Sequence, residues 1–247
     1  MRIPDPVAAL ERDLRGIFGH RLQSMLAYGL RAQGLQHEAD GAHAPHGSDR
    51  SILTQTLAVV DTLSTDDLRA CTGHVQRWQD SGLDTPLLVA AHEFGRSLDA
   101  FPFEFGAILA DHVLVAGRDP FEGLRVEPGD QRRACEVQAR GHLLHLREGY
   151  LETRGRADAL AVLIVRSAPA FAALLASVAH LDTIDVRDGA AAARHVERRL
   201  ELIPGATAAI VALAGVSEIP SAEAERLFPS YLDAVERLVR YIDAWKP

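Results

Sequence analysis

The apolar pattern changes character near residue 125, and that change constrains the fold more than any other feature of the chain. Before it, short apolar runs alternate with amphipathic stretches, the pattern of a sheet with helices laid against it. After it, nearly every apolar residue falls at helical spacing, the pattern of helices packed on helices. The expected fold class is α+β. A small mixed β-sheet with flanking helices takes residues 1–125, and an α-helical bundle domain takes residues 126–247.

Local signals fill in the first half. A helix is expected over 5–18, with Pro6 in its first turn and Val7, Leu10, Leu14 and Ile17 on one face. Gly19 ends it, and "LQSMLAY" follows as a strand. The stretch from Gly29 to Arg50 is rich in Gly, His and Ala, and a loop that long is usually functional or disordered. "LTQTLAVVDTL" reads as the second strand. "STDD" then caps a helix carrying Leu68, Cys71, Val75 and Trp78. "LLVA" is a third strand and "HEFGRSLDA" a short helix. In "FPFEFGAIL", Phe101, Phe103 and Phe105 alternate with Pro102, Glu104 and Gly106, which predicts a strand with Glu104 opposite the phenylalanines. "HVLVAG" predicts one more strand.

The second half reads as helices over 129–153, 157–181, "GAAAARHVERRLEL" and 221–245, with "GATAAIVALAG" as a buried helix. Pro169 and Pro229 are placed to kink or split two of them. The last helix has a strong stripe of Ala224, Phe228, Tyr231, Val235, Leu238, Ile242 and Trp245.

Charge and composition exclude several classes. A net charge of −8 argues against a broad electrostatic grip on nucleic acid. No apolar run approaches the ~20 residues that span a bilayer, so no membrane partner is expected. The first residues, "MRIPDPVAALERDL", carry charges and prolines where a signal peptide needs an apolar core. Cys71 and Cys135 fit no metal or redox spacing and read as reduced thiols of a cytoplasmic protein. His37, His43 and His46 share the long loop but lack a fourth ligand nearby, so no metal-ligating residue is assigned. Ser24 and Ser48 have no nucleophile-elbow context, and no P-loop Lys-Ser/Thr is present.

One constellation carries chemistry. A strand ending in Gly-Ser, a basic turn, and a carboxylate pair opening the next strand together handle a triphosphate. The glycine lets backbone approach phosphate, and the hydroxyl and amides bind its oxygens. The two carboxylates, with a third from a later strand, hold Mg²⁺. In this chain "ERDLRGIFGHRLQSMLAYGLRAQG" resembles the opening helix, strand and turn of the DNA-polymerase-β-like nucleotidyltransferase superfamily, which usually reads Tyr-Gly-Ser-x-Ala-x-Gly there. "FPFEF", "VLVAGRDPFEGLRVEP" and "EVQARGHLLHLREGYLE" are similar to a bacterial nucleotidyltransferase-like group of unknown function. In that group a sheet domain precedes a helical domain, as in the kanamycin-nucleotidyltransferase arrangement.

The resemblance implies site residues, and the chain departs from the pattern at several. Gly29 keeps the glycine, Leu30 replaces the serine, and Arg31, Ala32 and Gly34 continue the turn. Asp49 is the only acid just before the second strand, and Glu104 matches the third carboxylate. Glu38 and Asp40 have the spacing of a pair but lead into "GAHAPHG" rather than a strand. Arg133, Arg140, Arg147 and Arg154 recur every seven residues as one stripe. In related two-domain transferases the helical domain supplies basic side chains to the nucleotide. The other reading is a solvated face with ion pairs, since Glu136 precedes Arg140 by four.

The expected site is thus Asp49 and Glu104 as catalytic residues, with Gly29, Leu30, Arg31, Arg140 and Arg147 binding nucleotide. Mg²⁺ on a single carboxylate keeps most of its waters and binds weakly. The expected function is therefore a non-catalytic or catalytically altered nucleotidyltransferase-like protein. It would bind a nucleoside triphosphate or a partner in the cleft between its two domains. One alternative is an active Mg²⁺-dependent transferase acting on a protein or small-molecule hydroxyl, and only that reading needs Mg²⁺ as a cofactor. The other is a non-enzymatic protein that dimerises through its helical domain.

Overall fold

The structure, a computed structural model, describes residues 3–29, 53–184, 186 and 188–246. The chain divides into two compact units between Val126 and Glu127.

The first unit is built on a four-stranded sheet of order β3-β2-β1-β4. Helix α1 (Asp5–Phe18) buries Val7, Leu10, Leu14 and Phe18, and the chain then enters β1 (Leu22–Tyr28). β2 (Gln55–Val60) runs antiparallel to β1. Helices α2 (Thr65–Thr72) and α3 (Val75–Asp80) lead to β3 (Leu87–Ala90), which is parallel to β2. Helices α4 (Ala91–Ala100) and α5 (Pro102–Ala110) precede β4 (His112–Gly117), antiparallel to β1.

Alternation along the strands divides the core in two. Met25, Ala58 and Val60 pack with Leu10, Leu14 and Trp78 on one face. Leu26, Leu57 and Val59 pack with Phe94, Leu98, Phe105 and Phe121 on the other. Ser64 caps α2 in a reciprocal capping box with Asp67. Arg21 grips the same Asp67 carboxylate with two bonds of 3.0 and 2.7 Å and, ahead of Ser64, holds it well below the usual carboxylate range. Gly117 closes β4 at φ +81°, where a Cβ would stand 1.8 Å from the Gln23 carbonyl oxygen.

One expected strand is a helix. "FPFEFGAIL" folds as α5 because Pro102 stands at its first position with a preset φ, and Phe105 and Ile108 bury at helical spacing. Phe105 meets Phe94 edge-on at 5.7 Å, and Phe94 meets Phe121 at 5.1 Å. Phe101, expected to share a sheet face with Phe105, is 56% exposed. Glu104 therefore projects from a helix that lies outside the sheet ladder.

The second unit holds α6 (Pro128–Glu152), α7 (Ala157–Leu181), α8 (Gly189–Arg199), α9 (Ala206–Val211) and α10 (Ser221–Ala244). α7 and α10 run unbroken through Pro169 and Pro229. α10 buries Ala224, Phe228, Tyr231, Val235, Leu238 and Ile242 as its stripe requires, while Trp245 lies just past its end. Contrary to the sequence reading, α7 is long and apolar enough to cross a bilayer, with a mean hydropathy of 2.0. Within the second unit it contacts α6, α8, α9 and α10 and buries Ile164, Phe171, Leu175 and Val178. Cys71 is buried in the first unit and Cys135 in the second, both as free thiols. Burial pushes the Cys135 thiol up to about 12.

Candidate functional site

The strand end flagged by the sequence is the natural place to build a site. β1 stops at Tyr28, which faces Gln55 of β2 and His112 of β4. Gly29 follows at φ +85°, and its N–H donates to the Asp111 carbonyl at 3.2 Å. A Cβ at Gly29 would meet Gln55 Oε1 at 3.1 Å, so the turn is tight as well as left-handed. The Tyr28 hydroxyl is raised above its ordinary pKa by burial first and by Asp84 second. His112 is fixed by the Ile108 carbonyl at Nδ1 (2.9 Å) and by Asp119 at Nε2 (3.2 Å).

At the head of β2 stand Thr54 and Thr56, two residues apart and so on one side of the strand. Thr54 is tied into the backbone: its N–H reaches the Gly82 carbonyl and its carbonyl accepts from Asp84 N–H, each at 2.9 Å. Thr56 lies opposite Ala27, is 1% exposed, and its hydroxyl has no hydrogen-bond partner among the described residues. A buried orphan hydroxyl costs stability, so its presence here calls for an explanation. Sequence reading missed this pair because it searched upstream of the strand for acids. The signal was the Thr-Gln-Thr alternation at the strand head itself.

The two-metal layout needs carboxylates projecting from the sheet. None of the four strands contains an Asp or Glu. Threonine hydroxyls are neutral and do not substitute for the carboxylates that hold Mg²⁺. Among the described residues no three His, Cys, Asp or Glu side chains gather as a metal site. The described residues therefore do not fit a resident Mg²⁺.

The other expected residues that the structure describes stand on helices. Glu104 lines a groove of about 720 Å³ beside β3, with Leu87, His92, Arg96 and Phe101. Arg140 donates to Glu136 Oε1 at 3.0 Å and grips Asp243 at 2.6 and 2.7 Å. Arg147 donates to Glu236 at 2.7 Å. These pairs brace α6 against α10. Leu30, Arg31 and Asp49 lie outside the described residues, as does the His37–His46 loop segment.

The helix-flanked mixed sheet followed by a helical unit is the architecture of a nucleotidyltransferase-like α+β fold. Among solved structures the chain is similar to the spectinomycin adenyltransferase AAD(9) of Enterococcus faecialis, crystallised with ATP and spectinomycin. The two share 12% identity and a TM-score of 0.56, over 95% of this chain and 98% of that one. At that identity the likeness establishes the fold alone. No protein-family model matches the chain, and no curated protein matches it.

Proposed function

We propose that this is a nucleotidyltransferase-fold protein of the cytoplasm that binds a nucleoside triphosphate at the β1–β2 strand ends without transferring its nucleotidyl group. The observation that carries the reading is that, among the described residues, no strand of the sheet carries a carboxylate and two threonines stand at the head of β2. Gly29 keeps the tight turn that brings backbone amides toward a phosphate. Thr54 and Thr56, 6% and 1% exposed, are neutral and buried at the head of β2, where they offer Mg²⁺ no carboxylate. ATP in the structural neighbour supports a nucleotide as ligand. Arg140 and Arg147, each engaged by acids of α10, support bracing of the bundle rather than phosphate binding.

Calorimetric titration with ATP, GTP, CTP and UTP, with and without Mg²⁺, tests both halves. The expected result is binding of at least one nucleotide with affinity that changes less than about threefold on adding Mg²⁺, and no pyrophosphate release. Absence of any binding sinks the ligand assignment. Mg²⁺-dependent pyrophosphate release, abolished by Glu104→Ala, would instead establish the transferase with Asp49 and Glu104 as its acids.

A further inference from the structure

β3 is an edge strand, paired on one side by β2 and on the other by no strand among the described residues. Alternation along β2 fixes which backbone groups of β3 face the open side. Thr54 turns its N–H to the Gly82 carbonyl and its carbonyl to the Asp84 N–H, while Asp61 turns its N–H to Arg21 ahead of β1. Even-numbered residues of β2 thus face β3, and odd-numbered ones face β1. Ala58, opposite Leu88, therefore bonds to Leu87 and Val89, and Leu88 and Ala90 turn their backbone groups outward. Ala90 bears this out: its N–H is taken at 3.2 Å by the Glu93 carboxylate at the start of α4. Pro86, just ahead of the strand, has no N–H to offer. The open edge is therefore centred on Leu88, whose outward N–H and carbonyl have no partner among the described residues.

The groove beside this edge, about 720 Å³ and so in the size range of ligand sites, is walled by Leu87 and Phe101, 39 and 56% exposed. Arg96 of α4 and Glu104 of α5 line it as well. Among the described residues neither forms an ion pair or a side-chain hydrogen bond, with the other or with any third group. An outward backbone donor and acceptor, an apolar wall and two separate charges of opposite sign together complement an extended peptide. A long strand from another sheet would meet Pro86 and the capped Ala90 where it needs free donors, so the partner that fits is short. We infer that the groove holds a short extended peptide, which adds to the edge of β3 at Leu88. The peptide lays an apolar side chain on Leu87 and Phe101, sets an acidic residue toward Arg96 and sets a basic one toward Glu104. The inference is independent of nucleotide binding.

Fluorescence anisotropy of two labelled, end-capped pentapeptides titrated with the full chain tests the inference. One is Lys-Val-Leu-Val-Glu, and the other has its Lys and Glu exchanged. In either, the charged residues and the central Leu share one face of the extended chain. One order is expected to bind with a dissociation constant on the order of 100 μM, and the other about fivefold more weakly, because only one sets both charges against opposite partners. N-methylation of the central Leu and N-methylation of the two Val residues block opposite edges of the peptide. One pattern is expected to weaken binding about tenfold and the other less than about threefold, since only one removes N–H groups that face β3. The double variant Arg96→Glu, Glu104→Lys, at two exposed positions and checked for folding by circular dichroism, should reverse the preference between the two peptides. Binding of neither peptide up to about 2 mM would overturn the inference. So would an equal effect of the two methylation patterns on the native chain, or a peptide preference that the folded double variant leaves unchanged.

Discussion

The two units hold their buried acids by different means. In the sheet unit Asp67 meets the charged Arg21 beside Ser64. Each unit also leaves buried polar atoms without a partner among the described residues, Thr56 in the sheet unit and Gln131 and Ser177 in the helical unit. In the helical unit the buried acids are saturated with donors and act as struts. Glu197, 6% exposed, accepts from the N–H groups of Gly205, Thr207 and Ala208 at 2.9–3.0 Å, and the Thr207 hydroxyl lies 2.8 Å away. Burial works to raise its carboxyl, but the donors outweigh it and hold the group below the ordinary range. Asp182 receives the Tyr241 hydroxyl, the Trp245 indole N–H at 3.1 Å and His195 at 2.8 Å, and so joins the end of α7 to α8 and to the end of α10. In the sheet unit, among the described residues, the strands carry no acid and the buried Thr56 hydroxyl at the strand head has no partner. The lesson is that a carboxylate count says little about chemistry until the elements that carry the acids are known.

The largest effect expected from this contrast is in the strut. Glu197→Ala strips three backbone N–H groups of their acceptor at the start of α9 and should lower stability by about 4 kcal/mol, read as a fall in the urea midpoint. A loss under 1 kcal/mol would show that the helical unit does not depend on its buried acids, and the contrast would break.

Next in size is a pH effect within the same unit. His142 contacts the Tyr231 hydroxyl at 2.7 Å, Tyr231 donates to Ser167, and Ser167 donates to the Ile164 carbonyl. Since Tyr231 spends its proton on Ser167, the imidazole Nε2 carries the donor hydrogen. Burial first, and His145 second, depress the His142 pKa from 6.5 to about 4. Between those values the unfolded chain binds a proton that the folded chain refuses. The contribution of His142 is whole above pH 6.5 and is lost as pH falls toward 4, by about 3 kcal/mol at the low end. Denaturation series at pH 7 and 4.5 should show that slope in the native sequence and not in His142→Gln.

The smallest expected effect sharpens the contrast most. Thr56→Val replaces an unpaired buried hydroxyl by a methyl group of similar shape and should raise stability by up to about 1 kcal/mol. Because the hydroxyl is buried and does not reach a bound nucleotide, affinity should stay unchanged while stability rises. If Thr56→Val weakens nucleotide binding or destabilises the protein, the hydroxyl has a role beyond that of an unpaired group.

How much of this was legible depended on whether the signal was local. Amphipathic stripes such as Phe228, Tyr231, Val235, Leu238 and Ile242 repeat over many turns, and the helices they predict are present. "FPFEF" misled because five residues of alternation are compatible with either period: Phe101, Phe105 and Ile108 also fit a helix, and Pro102 is a helix-start signal. The arginine repeat of α6 is ambiguous in the sequence, since its partners Asp243 and Glu236 lie ~90–100 residues downstream and no local rule announces them. The Thr54–Thr56 pair carries no charge pattern that marks a strand head in the sequence. Which residues head a strand follows from ladder register, and register is set by pairing across the sheet.

The two buried thiols have a use that follows from their placement. Cys71 lies in the sheet unit and Cys135 in the helical unit, and each must reach solvent before a thiol reagent can attack it. Labelling each in turn, with the other replaced by Ala, times the opening of one unit at a time. The chain thus carries a separate internal clock for each half, and comparing the two rates tells whether the halves open together or independently.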